Sequence, residues 1–175
     1  IGIDRNEEYG FVRDFVGTIA DAGCSTFIVH ARNAVLKGLS PKENREIPPL
    51  RYDVAYQLKR EFPQLEIIIN GGIKTADEVA THLQHVDGVM LGREAYHNPY
   101  VMAGYDARFY GDDAPLKSRR QVLEAMIPYI QAQLAEHGGR GLKLNSITRH
   151  MLGLMAGLPG ARSFRQILSD PAKLA

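Results

Sequence analysis

The stretch EIIINGGIKTADEV, residues 66–79, contains the features that decide the predicted fold. Three consecutive isoleucines run directly into Asn-Gly-Gly at 70–72, which is typical of a short buried strand ending in a turn. A helix is predicted immediately afterwards, because Thr75 and Glu78 have the spacing of a capping box. A strand followed at once by a helix is the repeating unit of a parallel α/β sheet.

The same alternation extends on both sides of this stretch. Apolar periodicity predicts helices at 7–22, 53–62 and 75–85, and short apolar runs predict strands at 26–30, 65–69 and 86–91. Three prolines, at 41, 48 and 49, exclude regular structure from most of the long segment 31–50. Short apolar strands separated by helices predict parallel strands that are buried on both faces.

The composition indicates a globular protein. The chain has 175 residues with 45% hydrophobic residues and a net charge of +1, enough for a substantial core. No apolar run approaches the roughly 18 residues of a membrane helix, and no secretory leader is evident. Cys24 is the only cysteine, so no internal disulfide can form. We therefore expect a cytoplasmic protein with no membrane association.

The pattern changes after Arg93, where an all-helical part is predicted. Residues 110–115 have the composition of a linker, which places a domain boundary near 112–116 and gives domains at 1–113 and 114–175. Ser118 and Gln121 are placed to cap a long helix that contains Pro128. Further helices are predicted at 145–158 and around 163–168.

Charge is distributed unevenly between the two parts. Residues 115–175 carry nine Lys or Arg and three Asp or Glu, a net charge of +6, and the rest of the chain carries −5. A basic region on an acidic body favours a polyanionic partner for that region. Solvated basic helix faces with no partner explain the same charges equally well.

Residues suited to an anion follow each predicted strand. In parallel α/β folds ligands bind at the carboxyl ends of the strands, which here are His30, Asn70-Gly71-Gly72 and Gly92-Arg93. Glycines let backbone N–H groups approach an anion, and a guanidinium can bind phosphate oxygens through two hydrogen bonds. Two successive strand ends of this kind match the phosphate site after strands seven and eight of a TIM barrel.

Plainer interpretations remain open for these residues. The glycines could form tight turns without a ligand, and a histidine after an apolar run is often structural. Three strands also cannot close a barrel, which needs about eight. We therefore expect a fragment: the last three strand–helix units of a TIM (β/α)8 barrel followed by an all-α helical domain.

Four segments of the chain resemble the A-type bacterial branch of the tRNA-dihydrouridine synthases. They are VHARNAVLKGLSPKENREIPPL at 29–50, INGGIK at 69–74, VMLGREAYHNP at 89–99 and ITRHMLGLMAGLPGARSFRQ at 147–166. The resemblance covers nearly the whole chain. It implies an FMN enzyme that reduces the C5–C6 bond of uridine in tRNA, with NADPH reducing the flavin, and it suggests the D-loop as the target.

The resemblance also implies roles for individual residues. His30 is expected to contact the flavin, and the residues expected to bind the FMN phosphate are Asn70, Gly71, Gly72, Gly92 and Arg93. The family's flavin-contacting lysine and its proton-donating cysteine are expected upstream of Ile1, so the chain alone is expected to be inactive. Cys24 precedes the strand of His30, and we expect it to be a small buried core residue at the opposite edge of the sheet.

Two basic pairs are expected to bind tRNA, because corresponding positions do so in the A-type enzymes. Lys42 and Arg45 lie in the proline-bounded loop, and Arg162 and Arg165 lie three residues apart on one face of the last helix. The alternative is solvent-facing charge, with partners such as Glu43 or Glu46 for the first pair. Weaker candidates are Arg149 and His150, of which the second is expected to pack between helices.

Two other classes of protein remain possible from the sequence. One is another FMN-binding or phosphate-binding TIM-barrel oxidoreductase that acts on a small molecule, which has no use for a basic helical domain. The other is a non-enzymatic RNA-binding module, which leaves the glycine-rich strand ends unexplained. For the favoured function we expect a monomer that binds tRNA and FMN and needs no metal.

Overall fold

The computed structural model describes residues 1–4 and 8–170. The chain divides into two compact units, Ile1–Gly92 and Arg93–Ala175. The boundary between the units lies at the end of the third strand, because the short helices after Arg93 belong to the same unit as the later helices. Within that unit, for example, Gly153 packs against the His97 backbone. The assignment of separate functions to 1–113 and 114–175 stays a prediction.

A parallel sheet organises the described part of the first unit. Its strands are β1 (Thr26–His30), β2 (Glu66–Asn70) and β3 (Gly88–Met90), in the order β1-β2-β3. The bounds of β1 agree with those expected from the sequence, whereas β2 begins and ends one residue later. β3 is shorter than the predicted 86–91. The α/β class expected from the sequence is confirmed.

Helices of the first unit follow the predicted order. They are α1 (Tyr9–Asp21), α2 (Pro41–Asn44), α3 (Tyr52–Glu61) and α4 (Ala76–His82). The capping box of α4 is confirmed, because Thr75 Oγ1 accepts from the Glu78 N–H while the Glu78 carboxylate accepts from the Thr75 N–H. Residue 7, where the first helix was predicted to begin, lies outside the described residues. The short helix α2 is an addition to a loop predicted as irregular.

One face of the sheet is packed and the other is open in this chain. Leu58 of α3 and both Ile67 and Ile69 of β2 are fully buried, and each such side chain contributes about 2 kcal/mol to folding. On the opposite face Ile28 and Met90 remain 58% and 41% exposed. Burial on both faces, as predicted from the apolar strands, is therefore not achieved within the described residues.

The second unit is helical where it is described. Its helices are α5 (Arg93–His97), α6 (Tyr105–Tyr110), α7 (Arg119–His137), α8 (Leu144–Thr148) and α9 (Ala161–Ser169). The predicted cap of α7 is confirmed, because the Ser118 side chain accepts from the Gln121 N–H and the Gln121 side chain accepts from the Ser118 N–H. Pro128 lies inside α7, as expected.

The helix predicted at 145–158 is wrong beyond Thr148. After α8 the chain forms successive turns, with hydrogen bonds from Met151 N to Thr148 O and from Leu154 N to Met151 O. A Cβ atom at Gly153 would lie 2.3 Å from the His97 carbonyl oxygen, so this backbone passes too close for any side chain. Gly157 has φ +78°, which ends helical geometry there. Apolar spacing alone could not indicate these backbone contacts.

Cys24 is exposed, so the prediction that it is a buried core residue is wrong. It lies in the turn between α1 and β1, and its thiol is 3.4 Å from the Thr26 carbonyl oxygen. Small apolar character did not bury Cys24, because the whole turn at 21–25 is exposed. Cys24 precedes the N-terminal end of β1, whereas His30 lies at its C-terminal end, as expected.

Candidate functional site

The carboxyl ends of the strands bring the predicted ligand residues to one edge of the sheet. In the strand register His30 pairs with Asn70, and Asn70 pairs with Met90. Since paired residues share a face, the three side chains lie side by side on the open face. Gly71 and Gly72 follow β2, and Gly92 follows β3 after one intervening residue. The predicted strand-end residues of the first unit therefore meet at one edge.

The turn after β2 requires glycine at both of its first positions. Gly71 has φ +125° and Gly72 has φ +73°, both in the region that side chains disfavour. A Cβ atom on Gly71 would lie 3.1 Å from Leu50 Cδ2 and 3.6 Å from His30 Cε1. One on Gly72 would lie 2.6 Å from Leu50 Cδ1. Glycine at both positions therefore leaves room for the Leu50 side chain, and Gly71 also lies beside His30.

Gly92 differs from the glycines after β2 in its surroundings. No positive φ is recorded for it, and a Cβ atom there would meet nothing within 4 Å. The backbone conformation therefore does not require glycine, and the space beside it is open. Arg93 is the next residue in the chain and begins α5. A glycine that the fold itself does not need is the kind expected where a ligand approaches the main chain.

His30 and Asn70 place polar groups at this edge. His30 is exposed, and it is one of the residues that line a recess of about 300 Å³ along β1 and α1. The recess is lined by side chains that include Phe11, Phe15, Phe27 and Ile28. The Asn70 amide Nδ2 lies 3.5 Å from Met90 Sδ, so it extends along the edge towards β3.

Tyr52 supports the glycine turn from behind, a contact that the sequence did not indicate. Its hydroxyl donates to the Gly71 carbonyl oxygen at 2.7 Å. Burial raises the pKa of Tyr52, and the Glu78 carboxylate raises it further, so the hydroxyl stays protonated and can donate. The sequence signal is weak, because a tyrosine at the start of a helix does not reveal a partner 19 residues away.

Glu78 holds the far end of the same turn. Its carboxylate accepts from the Lys74 N–H at 2.8 Å and from the Thr75 N–H at 2.9 Å. The hydrogen bond from the Lys74 N–H is the main reason why the pKa of Glu78 is lowered, although burial opposes it. The segment from Gly71 to Thr75 is therefore hydrogen-bonded at both ends.

A buried histidine packs behind Tyr52. The His82 ring lies edge-on to the Tyr52 ring with centroids 4.4 Å apart, and its Nδ1 is 2.6 Å from the Tyr56 hydroxyl. His82 is 6% exposed, and burial lowers its pKa, which favours the neutral ring. Neutral His82 is compatible with this packed position, whereas a charged ring would lose solvation there.

Lys42 and Arg45 lie on a small, well-braced turn. Lys42 is within α2 and Arg45 caps its C-terminus, and both are exposed. The Asn44 side chain fastens this turn, because it accepts from the Val35 N–H and donates to the Val35 carbonyl. Glu43, considered above as a partner for the basic pair, accepts from the Ser40 N–H instead. The prediction that this pair binds tRNA stays a prediction.

Arg162 and Arg165 are exposed on α9 of the second unit. Their three-residue separation places them on one side of the helix, as expected. Arg149 and His150 are also exposed. The His150 ring packs edge-on against Tyr96 of α5, with its Nδ1 2.9 Å from the Tyr96 hydroxyl, as expected for a residue between helices, although His150 is exposed.

The structure shows two further negative findings within 1–4 and 8–170. No cluster of His, Cys, Asp or Glu suited to a metal ion occurs among these residues. In the same part of the chain, no helix has the length and apolarity needed to span a membrane.

Comparison with known proteins identifies the family to which this chain belongs. The model of the family described as dihydrouridine synthase (Dus) matches residues 1–175. Proteins named tRNA-dihydrouridine(20/20a) synthase are similar to this chain. The one from Pseudomonas syringae pv. tomato is 59% identical over 169 residues, 97% of this chain and 49% of the relative. The one from Shewanella oneidensis is 57% identical over 172 residues, 98% of this chain and 50% of the relative.

The Vibrio cholerae protein of the same name is 52% identical over 173 residues, 98% of this chain and 52% of the relative. The chain thus spans about half the length of the curated relatives it matches. Matched along its whole length by the family model, the chain belongs to the dihydrouridine synthase family.

Proposed function

We propose that this chain forms the flavin-phosphate-binding and RNA-binding half of an FMN-dependent tRNA-dihydrouridine synthase. The full-length enzyme reduces the C5–C6 bond of uridine in tRNA, and NADPH supplies the reducing equivalents. The observation that carries the proposal is an exposed glycine at each of two neighbouring strand ends, Gly72 after β2 and Gly92 after β3. In this proposal the sheet is the last part of a TIM barrel whose other strands cover its open face.

The residues at this edge fit a phosphate group. Gly72 is exposed and Gly92 borders open space, so an anion can approach the main chain at both positions. The Asn70 amide adds a donor, and the Arg93 guanidinium follows directly in the chain and supplies positive charge. When bound, FMN supplies the hydride that reduces the uracil ring. We assign its phosphate to Asn70, Gly71, Gly72, Gly92 and Arg93.

His30 is the flavin-contacting residue in this proposal. Its ring lies beside Gly71, on the same open face of the sheet as Asn70. From there an imidazole N–H can donate a hydrogen bond to a ring bound above the strand ends. The role of His30 is to orient the ring, and no proton transfer is assigned to it.

The proton that completes reduction of uridine must come from another group. Cys24 is the only cysteine of the chain, and it precedes β1 at the opposite strand edge from His30. We therefore place the proton-donating cysteine, and a lysine that contacts the flavin, in the part of the full-length enzyme outside this chain. On this account the chain alone reduces no uridine.

Basic residues are proposed to hold the RNA. The target uridine must leave its stack to reach a flavin, which costs a few kcal/mol. Phosphate contacts from Lys42, Arg45, Arg162 and Arg165 would offset that cost, and they would make binding weaken as salt rises. The relatives' names include the designation 20/20a, and we propose uridines at those tRNA positions as the substrate.

The direct test uses the full-length protein that contains this chain. The protein is purified and incubated with NADPH and tRNA that lacks dihydrouridine, and the modified nucleoside is measured by mass spectrometry. We expect dihydrouridine at 20 and 20a with the full-length protein and none with the chain alone. Bound flavin together with reduction of a free pyrimidine, and no reaction with tRNA, would instead support the small-molecule oxidoreductase.

A further inference from the structure

The Tyr52 hydroxyl restrains a peptide that would otherwise rotate readily. It is half-buried, and it donates to the Gly71 carbonyl oxygen at 2.7 Å. Two consecutive glycines have more accessible backbone conformations than any other pair of residues. Neither residue has a side chain that could hold the turn by packing. An outside contact is therefore needed to keep this turn in a single conformation.

The bond from Tyr52 also determines where the next N–H group points. The peptide unit between Gly71 and Gly72 is planar, and no cis peptide bond occurs in the described residues. In a trans peptide the carbonyl and the following N–H point in opposite directions. With the Gly71 carbonyl directed at Tyr52, the Gly72 N–H points away from Tyr52. Gly72 is itself exposed.

Tyr52 is in turn held from its other side. The edge-on contact with His82, at 4.4 Å between centroids, orients the Tyr52 ring. His82 is anchored by its 2.6 Å contact with the Tyr56 hydroxyl. At the far end of the turn the Glu78 carboxylate binds the Lys74 and Thr75 N–H groups. The turn is thus braced before any ligand arrives, which lowers the entropic cost of binding.

We propose that Tyr52 is a positioning residue that directs the Gly72 N–H at the cofactor phosphate and so sets the preference for FMN over riboflavin. The inference rests on the proposed function, because it takes the turn after β2 to be the phosphate site. Tyr52 does not touch the phosphate. Its hydroxyl acts only through the Gly71–Gly72 peptide.

The test compares Tyr52→Phe with Tyr110→Phe in the full-length protein. Each variant loses one tyrosine hydroxyl, but Tyr52 contacts the glycine turn, whereas Tyr110 lies on α6 and is 82% exposed. Dissociation constants for FMN and for riboflavin are measured by quenching of flavin fluorescence. Loss of one positioning hydrogen bond should weaken FMN binding about fivefold. Riboflavin binding should be unchanged in Tyr52→Phe, and Tyr110→Phe should bind both flavins like the wild type.

A spectroscopic signal completes the test. The ³¹P resonance of bound FMN should shift in Tyr52→Phe and stay in place in Tyr110→Phe. An equal loss of affinity for both flavins, or an unshifted resonance with unchanged FMN affinity, overturns the role of Tyr52. If the wild type binds FMN no better than riboflavin, the phosphate site itself is wrong, and the proposed function is overturned together with the inference.

Discussion

Replacing Gly72 with alanine should damage the glycine turn by a predictable amount. Gly72 has φ +73°, and holding a residue with a Cβ atom in that region costs about 1 kcal/mol. The new Cβ atom would also lie 2.6 Å from Leu50 Cδ1 and 3.3 Å from the Tyr52 hydroxyl. The Leu50 side chain must then leave its rotamer, at a cost of about 1 kcal/mol. The free energy of unfolding should therefore fall by about 2 kcal/mol.

The assay is urea unfolding of the full-length protein without flavin, followed by FMN titration. The midpoint should fall with an unchanged slope, because the surface exposed on unfolding is the same. Gly10→Ala is the matched control: Gly10 lies in α1 without a positive φ, and a Cβ atom there meets nothing within 4 Å. That control should leave stability unchanged or slightly higher. A Gly72→Ala protein as stable as the wild type would refute the geometry described for the turn.

Three further predictions concern ligand binding and pH. Gly92→Ala should retain wild-type stability, because its Cβ atom meets open space, but it should weaken FMN binding at least tenfold. If the variant bound FMN as tightly as the wild type does, the phosphate could not approach Gly92. Burial lowers the pKa of His82 below 6.5, so the wild type should lose stability as the pH falls below about 6.5. His82→Leu should lack that pH dependence when unfolding is followed between pH 7.5 and 5. Identical pH profiles would exclude a buried neutral His82. The Arg162→Ala/Arg165→Ala double variant should reduce the slope of log tRNA affinity against log salt concentration by about 1 to 2 and should still bind FMN. The control variant Arg13→Ala, on α1, should leave that slope unchanged.

The features that the sequence predicted well are those set by local chemistry. Short apolar runs alternating with helical patterns predicted the strands, and the Thr75–Glu78 spacing predicted the cap of α4. Each of these two features depends on residues that are close together in the chain. A tight turn at the glycines after β2 is another local feature, and their positive φ values agree with it. Phosphate binding at these glycines stays a prediction.

The features that the sequence missed depend on contacts between distant residues. The bond from Tyr52 to Gly71 joins α3 to the end of β2, and no local pattern encodes it. Residues 149–158 have helical apolar spacing, but Gly153 packs against the His97 carbonyl and the chain turns there. Cys24 was expected to be buried from its residue type, yet its turn is exposed. At residues 149–158, tertiary contacts therefore outweighed the local helix propensity.

The central claim is that two neighbouring strand ends bind one phosphate group of a flavin. A crystal structure of the full-length protein with FMN tests it most directly. The account predicts phosphate oxygens about 3 Å from the Gly72 and Gly92 backbone nitrogens and from the Arg93 guanidinium. A phosphate bound elsewhere, with these nitrogens facing only water, would contradict it.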